Sequence, residues 1–486
     1  MKFLKYFEKR KKTYPQDVKG RFRRIKNFTN FFCLAIFFLF PFIRWDRGSF
    51  ISNQAILVDL PNSRAYFFFI EMWPEEVFYL AAILIFAAVA LFFVTSLFGR
   101  AWCGYSCPQT VWTDIFIKIE RYFQGDRNDR IKLDRKVFSF QNIWRKAATH
   151  ISWLLIGLVT GIGFVNYFND APNLMKGLFV GQIGWTIWGW ILGVAGMTYV
   201  MAGFAREQVC NYMCPYARFQ SAMFDPETLV IAYDASRGED RGKFKKGQDF
   251  DNRGHCIDCK QCVVVCPANI DIRDGLQMEC IACGLCIDAC DNVMEKMDLP
   301  KGLIKYSTEI DDNKALDNKE IANKSQPLKA GNSCGSSSQK VKIFRPKTFY
   351  YLAILIIVGG FIAFNLGTKS DVKLDIIADR NPMFVMLSNG DFRNGYTIKI
   401  SNKTFADQFY NLKIKGIKYS EIKLAGTEKC EIGDFLVKAG EVASFKIYVR
   451  VPSQNLPEED GQNEIEFIIS DYSEKSIAVK SIFISR

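Results

Sequence analysis

Five stretches of the chain carry no Asp, Glu, Lys or Arg: residues 27–43, 77–98, 147–168, 183–204 and 348–368. Each is 17–22 residues long, enough for a helix to cross the hydrocarbon core of a bilayer. Trp45, Trp73 and Trp144 stand near their ends, where interfacial aromatics belong. Beyond the fourth stretch the pattern changes. Across residues 205–307 apolar periodicity fades while Cys and Gly accumulate, as in a segment held together by metal. Residues 308–347, with Gly331-Asn332-Ser333-Cys334-Gly335-Ser336, read as a polar linker. From Val372 onward the alternation in Tyr396-Thr397-Ile398-Lys399-Ile400, Phe445-Lys446-Ile447-Tyr448-Val449 and Glu464-Ile465-Glu466-Phe467 predicts about seven strands in an immunoglobulin-like β-sandwich over residues 369–486. Its one cysteine, Cys430, reads as a buried thiol.

The 63 Lys and Arg exceed the 51 Asp and Glu, for a net charge of +12. The excess lies in residues 1–26, with 11 basic against 2 acidic residues, and in residues 99–146, with 10 against 5. It flanks membrane spans and forms no basic domain, so no nucleic-acid partner is expected; the expected contact is membrane lipid. By the positive-inside rule the N-terminus and residues 205–307 are cytoplasmic and the sandwich lies on the opposite side. Pro41-Phe42-Ile43-Arg44 offers no small-residue cleavage site, so the first span reads as a retained anchor. Within the loop at 99–146, Val111, Ile115, Ile119 and Phe123 recur at helical spacing, which suits either a helix on the membrane surface or one packed inside the protein.

Cysteine spacing carries the chemistry. Cys256-x2-Cys259-x2-Cys262-x3-Cys266-Pro267 is followed by Cys280-x2-Cys283-x2-Cys286-x3-Cys290. Each is the run that holds a [4Fe–4S] cube in bacterial ferredoxins, where the fourth cysteine ligates the other cluster. The expected sets are Cys256, Cys259, Cys262 and Cys290 for one cube, and Cys280, Cys283, Cys286 and Cys266 for the other. Zinc knuckles group their ligands in twos, unlike these runs. Ile257, Val263–Val265 and Ile287 would wrap the sulfurs, and His255 is unassigned.

A second repeat follows spans two and four. Cys103-Gly104-Tyr105-Ser106-Cys107-Pro108 and Cys210-Asn211-Tyr212-Met213-Cys214-Pro215 are both Cys-x3-Cys-Pro with Tyr two positions after the first Cys. Proline favours a helix start, which places Cys107 and Cys214 ahead of new helices. Four soft thiols at one membrane surface would accept Cu(I), zinc or a third iron–sulfur cluster, or act as redox dithiols. Met197 and Met201, one turn apart, read as packing residues that could also add thioethers. His150 and His255 are the only histidines, too few to clamp haems between spans, and there is no Gly-x-Gly-x-x-Gly loop for a dinucleotide.

This combination resembles the FixG/CcoG (RdxA-like) cytochrome c oxidase accessory proteins. The resemblance includes Ile270-Asp271-Ile272-Arg273-Asp274-Gly275-Leu276-Gln277, Cys286-Ile287-Asp288-Ala289-Cys290-Asp291, Arg393-Asn394-Gly395-Tyr396-Thr397 and Asn402-Lys403-Thr404. It implies a multi-pass protein of the bacterial inner membrane, with five transmembrane α-helices, a two-[4Fe–4S] ferredoxin-like insert and a periplasmic immunoglobulin-like sandwich. It further implies a cupric reductase supplying Cu(I) for assembly of cbb3-type oxidase. Cys103, Cys107, Cys210 and Cys214 would then be catalytic or copper-holding, and the partners a cytoplasmic electron donor and oxidase assembly factors or copper carriers. The rival expectations are a quinol-linked electron carrier and a redox-sensing assembly scaffold.

Overall fold

A computed structural model describes residues 12–47, 52–135, 140–243, 253–310, 345–404, 406–417, 420–425, 435–456, 461–470 and 476–485. Most of the expected linker, with Cys334, and the lone sandwich cysteine Cys430 lie outside the described residues. The chain forms two compact units, residues 1–43 with 54–362 and residues 44–53 with 363–486.

In the first unit, helix α1 (Arg21–Leu39) is followed by a three-stranded antiparallel meander of β1 (Ile56–Asp59), β2 (Arg64–Phe67) and β3 (Ile70–Met72). The chain continues through α2 (Val77–Phe98), α3 (Ala101–Tyr105), α4 (Pro108–Gln124), α5 (Arg127–Arg135), α6 (Phe140–Val165), α7 (Ala171–Val180) and α8 (Trp185–Thr198). Helix α8 widens into a π-helical turn at Tyr199–Ala205, and α9 (Pro215–Met223) follows the second Cys-x3-Cys-Pro motif. Among the described residues five helices are long and apolar enough to cross a membrane: Arg21–Phe42, Pro74–Phe98, Phe140–Val165, Trp185–Ala205 and Pro346–Gly367. The last is α13, because α10 (Ala235–Gly238), α11 (Gln261–Val264) and α12 (Leu285–Lys296) intervene. The loops expected outside spans one and three are thus folded as the meander and α7. Gln54 joins them, donating to Ile56 O (2.9 Å) and Asn166 O (2.7 Å) and accepting from Ala171 N–H (2.9 Å).

The first span begins before its charge-free stretch because its basic residues have buried partners. Arg23 and Lys26 reach Asp114 of α4 at 2.8 and 3.5 Å, Asn30 donates to the same carboxylate at 3.0 Å, and Lys118 stands 3.2 Å away. Helix α4 is therefore the packed alternative of the sequence reading. Val111, Phe116, Ile117 and Glu120 are all buried, and Glu120 holds Arg130 and Arg206 at 3.2 and 2.9 Å. Burial works against ionisation of Asp114, but Lys26, Arg23 and Lys118 outweigh it and hold the carboxyl well below the usual range. Asp114→Asn leaves buried cations without their counter-ion. It is expected to lower stability by about 3–5 kcal/mol, read as an earlier thermal transition of the detergent-solubilised chain.

The ferredoxin-like part is built on the antiparallel pair β4 (Val230–Tyr233) and β5 (Ile304–Ser307), with α11 and α12 between them in sequence. It is joined to the first span by a helix cap. Asp288 of α12 accepts from Phe22 N–H (3.1 Å) and Arg23 N–H (2.8 Å), free donors at the start of α1. Gly20 permits this approach, since a Cβ there would lie 2.2 Å from Asp288 Cγ.

The second unit is a β-sandwich. One sheet runs β10 (Glu421–Leu424), β12 (Val442–Val451), β8 (Phe392–Asn402), β6 (Val372–Ala378), with β7 (Val385–Met386) beside β8. The other runs β11 (Phe435–Val437), β9 (Gln408–Lys415), β13 (Gln462–Ser470), β14 (Ser476–Ile484). The two strands beyond the expected seven are the short β7 and β11. Alternate residues Tyr396, Ile398 and Ile400 meet Phe467 and Ile469 in the core. Asn402, fully buried, donates to Val437 O (3.0 Å) and accepts from Thr404 N–H (3.1 Å).

Candidate metal centres

The two ferredoxin runs share one backbone path. Asp258 and Lys260 in the first, and Ala282 and Gly284 at the equivalent places in the second, all have left-handed φ, between 50° and 75°. Three of these are not glycine, and such residues seldom occupy this region without cause. In each run the two reversals flank the second cysteine, Cys259 or Cys283. Short helices α11 and α12 start directly afterwards.

The thiols gather in two sets. Cys290 lies within electrostatic reach of Cys262, Cys259 and Cys256, and burial followed by their repulsion pushes its thiol up to about 12. Cys266 faces Cys283 and Cys280; burial first, then Cys283, pushes it up to about 12. Cys286 is raised still further by burial and by Cys283, Cys280 and Cys266. The fourth cysteine of each run thus stands with the other run. Val265, Ile272 and Ile287 are buried around them, whereas Cys259 is exposed. Donor type, crossed grouping and loop shape fit two [4Fe–4S] cubes. His255 accepts a hydrogen bond from Arg237 Nε at 2.9 Å.

The two Cys-x3-Cys-Pro motifs also converge. Cys103 is within electrostatic reach of Cys107, Cys210 and Cys214; burial, then Cys107, pushes its thiol up to about 12, while Arg100 opposes the rise. Cys210 is pushed up to about 11 by burial, Cys107 and Cys214, again against Arg100. Pro108 and Pro215 open α4 and α9. Cys103 Sγ donates to Gln220 Oε1 of α9 at 3.3 Å, and Tyr216 OH pairs with Thr95 Oγ1 of α2 at 2.6 Å. Gln109, next after Pro108, donates to Met201 O (3.0 Å) and Arg206 O (3.2 Å) at the π-helical turn. Met197 and Met201 line an apolar cavity with Cys33, between α1, α4, α6 and α8.

The first motif sits on the second ferredoxin run. A Cβ at Gly104 would be 2.6 Å from Ile281 O, so glycine is needed for the approach. Tyr105 OH donates to Cys283 O (3.1 Å), and Tyr306 OH donates to Ala282 O (2.7 Å). Arg100 donates to Met278 O, to Cys280 O at 3.2 Å and to Ala217 O at 2.9 Å. In the sequence Gly104 and Tyr105 stand only as neighbours of the motif cysteines, and Arg100 lies three residues before the first of them. Their proximity to the Cys-x3-Cys-Pro motif was the available signal.

A metal ion held by the motif thiols would bind with a pH dependence. Free thiols are mostly protonated at neutral pH, and burial raises Cys103 and Cys210 further. Each metal–thiolate bond then displaces a proton, and affinity increases with pH. An ion held by two of these thiols displaces two protons, which predicts a rise of about a hundredfold per pH unit between pH 6 and 8, measured by competition with a Cu(I) chelator under argon.

Comparison with known proteins gives these residues a setting. Residues 205–309 match the family model described as a 4Fe-4S dicluster domain, residues 80–124 match one described as a 4Fe-4S binding domain, and residues 362–486 match the IG-like fold at the C-terminal of FixG, putative oxidoreductase. The Nitrogen fixation protein FixG of Rhizobium meliloti is 41% identical over 93% of this chain and 88% of its own length. Protein RdxB of Cereibacter sphaeroides is 40% identical over 91% of this chain and 89% of its own length. A crystal structure of a FixG-related protein from Vibrio parahaemolyticus aligns at 29% identity over 24% of this chain and 99% of that chain, with a TM-score of 0.21. With five membrane-length helices, paired iron–sulfur runs and this similarity along nearly its whole length, the chain is an iron–sulfur electron-transfer membrane protein that belongs to the FixG/RdxA family.

Proposed function

We propose that the chain takes single electrons from a cytoplasmic donor and reduces Cu(II) to Cu(I), for assembly of a cbb3-type cytochrome c oxidase in the bacterial inner membrane. The observation that carries this reading is the seating of the first Cys-x3-Cys-Pro motif on the Cys280–Cys283 loop, with the other three motif thiols within electrostatic reach of Cys103. When bound, the two cubes supply one-electron storage and transfer. The chain holds the ligand sets in contact through Gly104, Tyr105 and Arg100, and it leaves Cys259 exposed on the side a donor would meet. Cys210 lines a cavity also bordered by Glu207, Asn211 and Glu279, an approach for the substrate ion. There Cu(II) gains one electron, and soft thiolates at Cys103, Cys107, Cys210 and Cys214 favour the Cu(I) product. The sandwich, on the periplasmic side in this reading, offers a surface to copper carriers or assembly factors.

A second reading has the four motif cysteines hold a third cluster. Two observations favour it: the 4Fe-4S binding-domain match at residues 80–124 contains only Cys103 and Cys107, and no three His, Cys, Asp or Glu among the described residues stand close enough to chelate one ion. One experiment tests both. The anaerobically purified chain is analysed for iron, reduced, and mixed with Cu(II) in the presence of a Cu(I)-specific chelator. About eight irons per chain with prompt Cu(I) formation is expected. About twelve irons would assign the motifs to a cluster, and electron exchange with a quinol but none with Cu(II) would defeat the reductase reading.

A further inference from the structure

Arg100 differs from the other buried cations of this unit. Arg23 and Lys26 have Asp114, and Arg206, which precedes the second motif, has Glu120 at 2.9 Å. Arg100 is 6% exposed, yet among the described residues its acceptors are three backbone carbonyls, of Met278, Cys280 and Ala217. Its buried Nε has no hydrogen-bond partner among the described residues. A guanidinium taken out of water without an anion is costly, so its counter-charge must come from what these elements surround. The carbonyls show where it stands. Cys280 opens the second ferredoxin run, Met278 lies two residues before it, and Ala217 is in α9, three residues after Cys214. Arg100 itself is three residues before Cys103. It also opposes the rise of the Cys103, Cys210 and Cys280 thiols, so both ligand sets feel its charge.

We propose that Arg100 is a positioning residue and the counter-cation of the junction between the second cube and the four motif thiols, its charge balanced by the thiolate-bound metal on either side. A fixed positive charge beside a cluster favours the reduced form, which carries one more electron. Arg100 therefore raises the potential of the second cube while clamping its loop to the motif that receives the electron. The inference rests on the cluster reading of Cys266, Cys280, Cys283 and Cys286.

The test uses anaerobic full-length Arg100→Gln and Arg100→Lys with redox-poised electron paramagnetic resonance and iron analysis, the second cube being the signal that Cys283→Ser removes. At the wild-type midpoint, R100Q should lower the reduced-to-oxidised ratio of that signal by about tenfold and leave the other signal in place. R100K, which keeps the charge with fewer donors, should stay within about threefold of wild type. If R100Q loses iron while R100K retains iron and potential, the charge is still the required feature. An unchanged potential in R100Q, or loss of iron in both variants, overturns the assignment. Wild-type chain with no iron would instead sink the cluster reading itself.

Discussion

Serine at both Cys103 and Cys210 should slow copper reduction by about a hundredfold or more while the chain still holds about eight irons. The exchange removes one sulfur from each motif and replaces it with a hard hydroxyl that is neutral at working pH, a poor ligand for Cu(I). The fold has little reason to respond. At position 103 a hydroxyl can keep the hydrogen bond now made to Gln220 Oε1, and the loop contacts of Gly104 and Tyr105 are untouched. The ferredoxin cysteines belong to the two separate sets, so their visible absorbance should persist. A double variant that reduces copper at the wild-type rate would remove the motifs from the end of the electron path. If the two motifs instead hold a third cluster, the same variant loses about four irons, and iron analysis separates the outcomes.

What the sequence made legible was whatever is written locally. Charge-free stretches mark spans because lipid tolerates few charges, and the cysteine spacing marks the cubes because three thiolates on one loop must reach three corners of a cube. Strand alternation gave the sandwich for the same reason. The junctions were not legible, because each is made by residues far apart in the chain. Asp288 caps a helix that begins more than 260 residues earlier, and Arg100 reaches carbonyls about 180 residues later. Helix α4 shows the limit most clearly. Its apolar positions fit a membrane surface, yet Asp114 and Glu120 lie buried with it because cations from α1, from α5 and from Arg206, ahead of the second motif, converge on them. Periodicity counts apolar residues and is blind to such partners.

Exchanging the fourth cysteines is expected to remove the cubes in crossed order. Cys290→Ser should cost about four irons and abolish the first cube, whose other thiols are Cys256, Cys259 and Cys262, because Cys290 stands among those three. Cys266→Ser should cost about four irons and abolish the second, because Cys266 faces Cys280 and Cys283. The consequences then differ by position. Cys290 lies in α12, two residues after the Asp288 that caps α1, so its loss should also loosen the join between the ferredoxin-like part and the first span, seen as faster proteolysis near residue 20. Cys266→Ser empties the side that touches Gly104 and Tyr105 and should reduce copper reduction more severely than Cys290→Ser at equal protein. Electron paramagnetic resonance of the two variants decides the pairing: if Cys266→Ser removes the signal that R100Q leaves in place, the sets are not crossed, and the electron enters the motifs from the other cube.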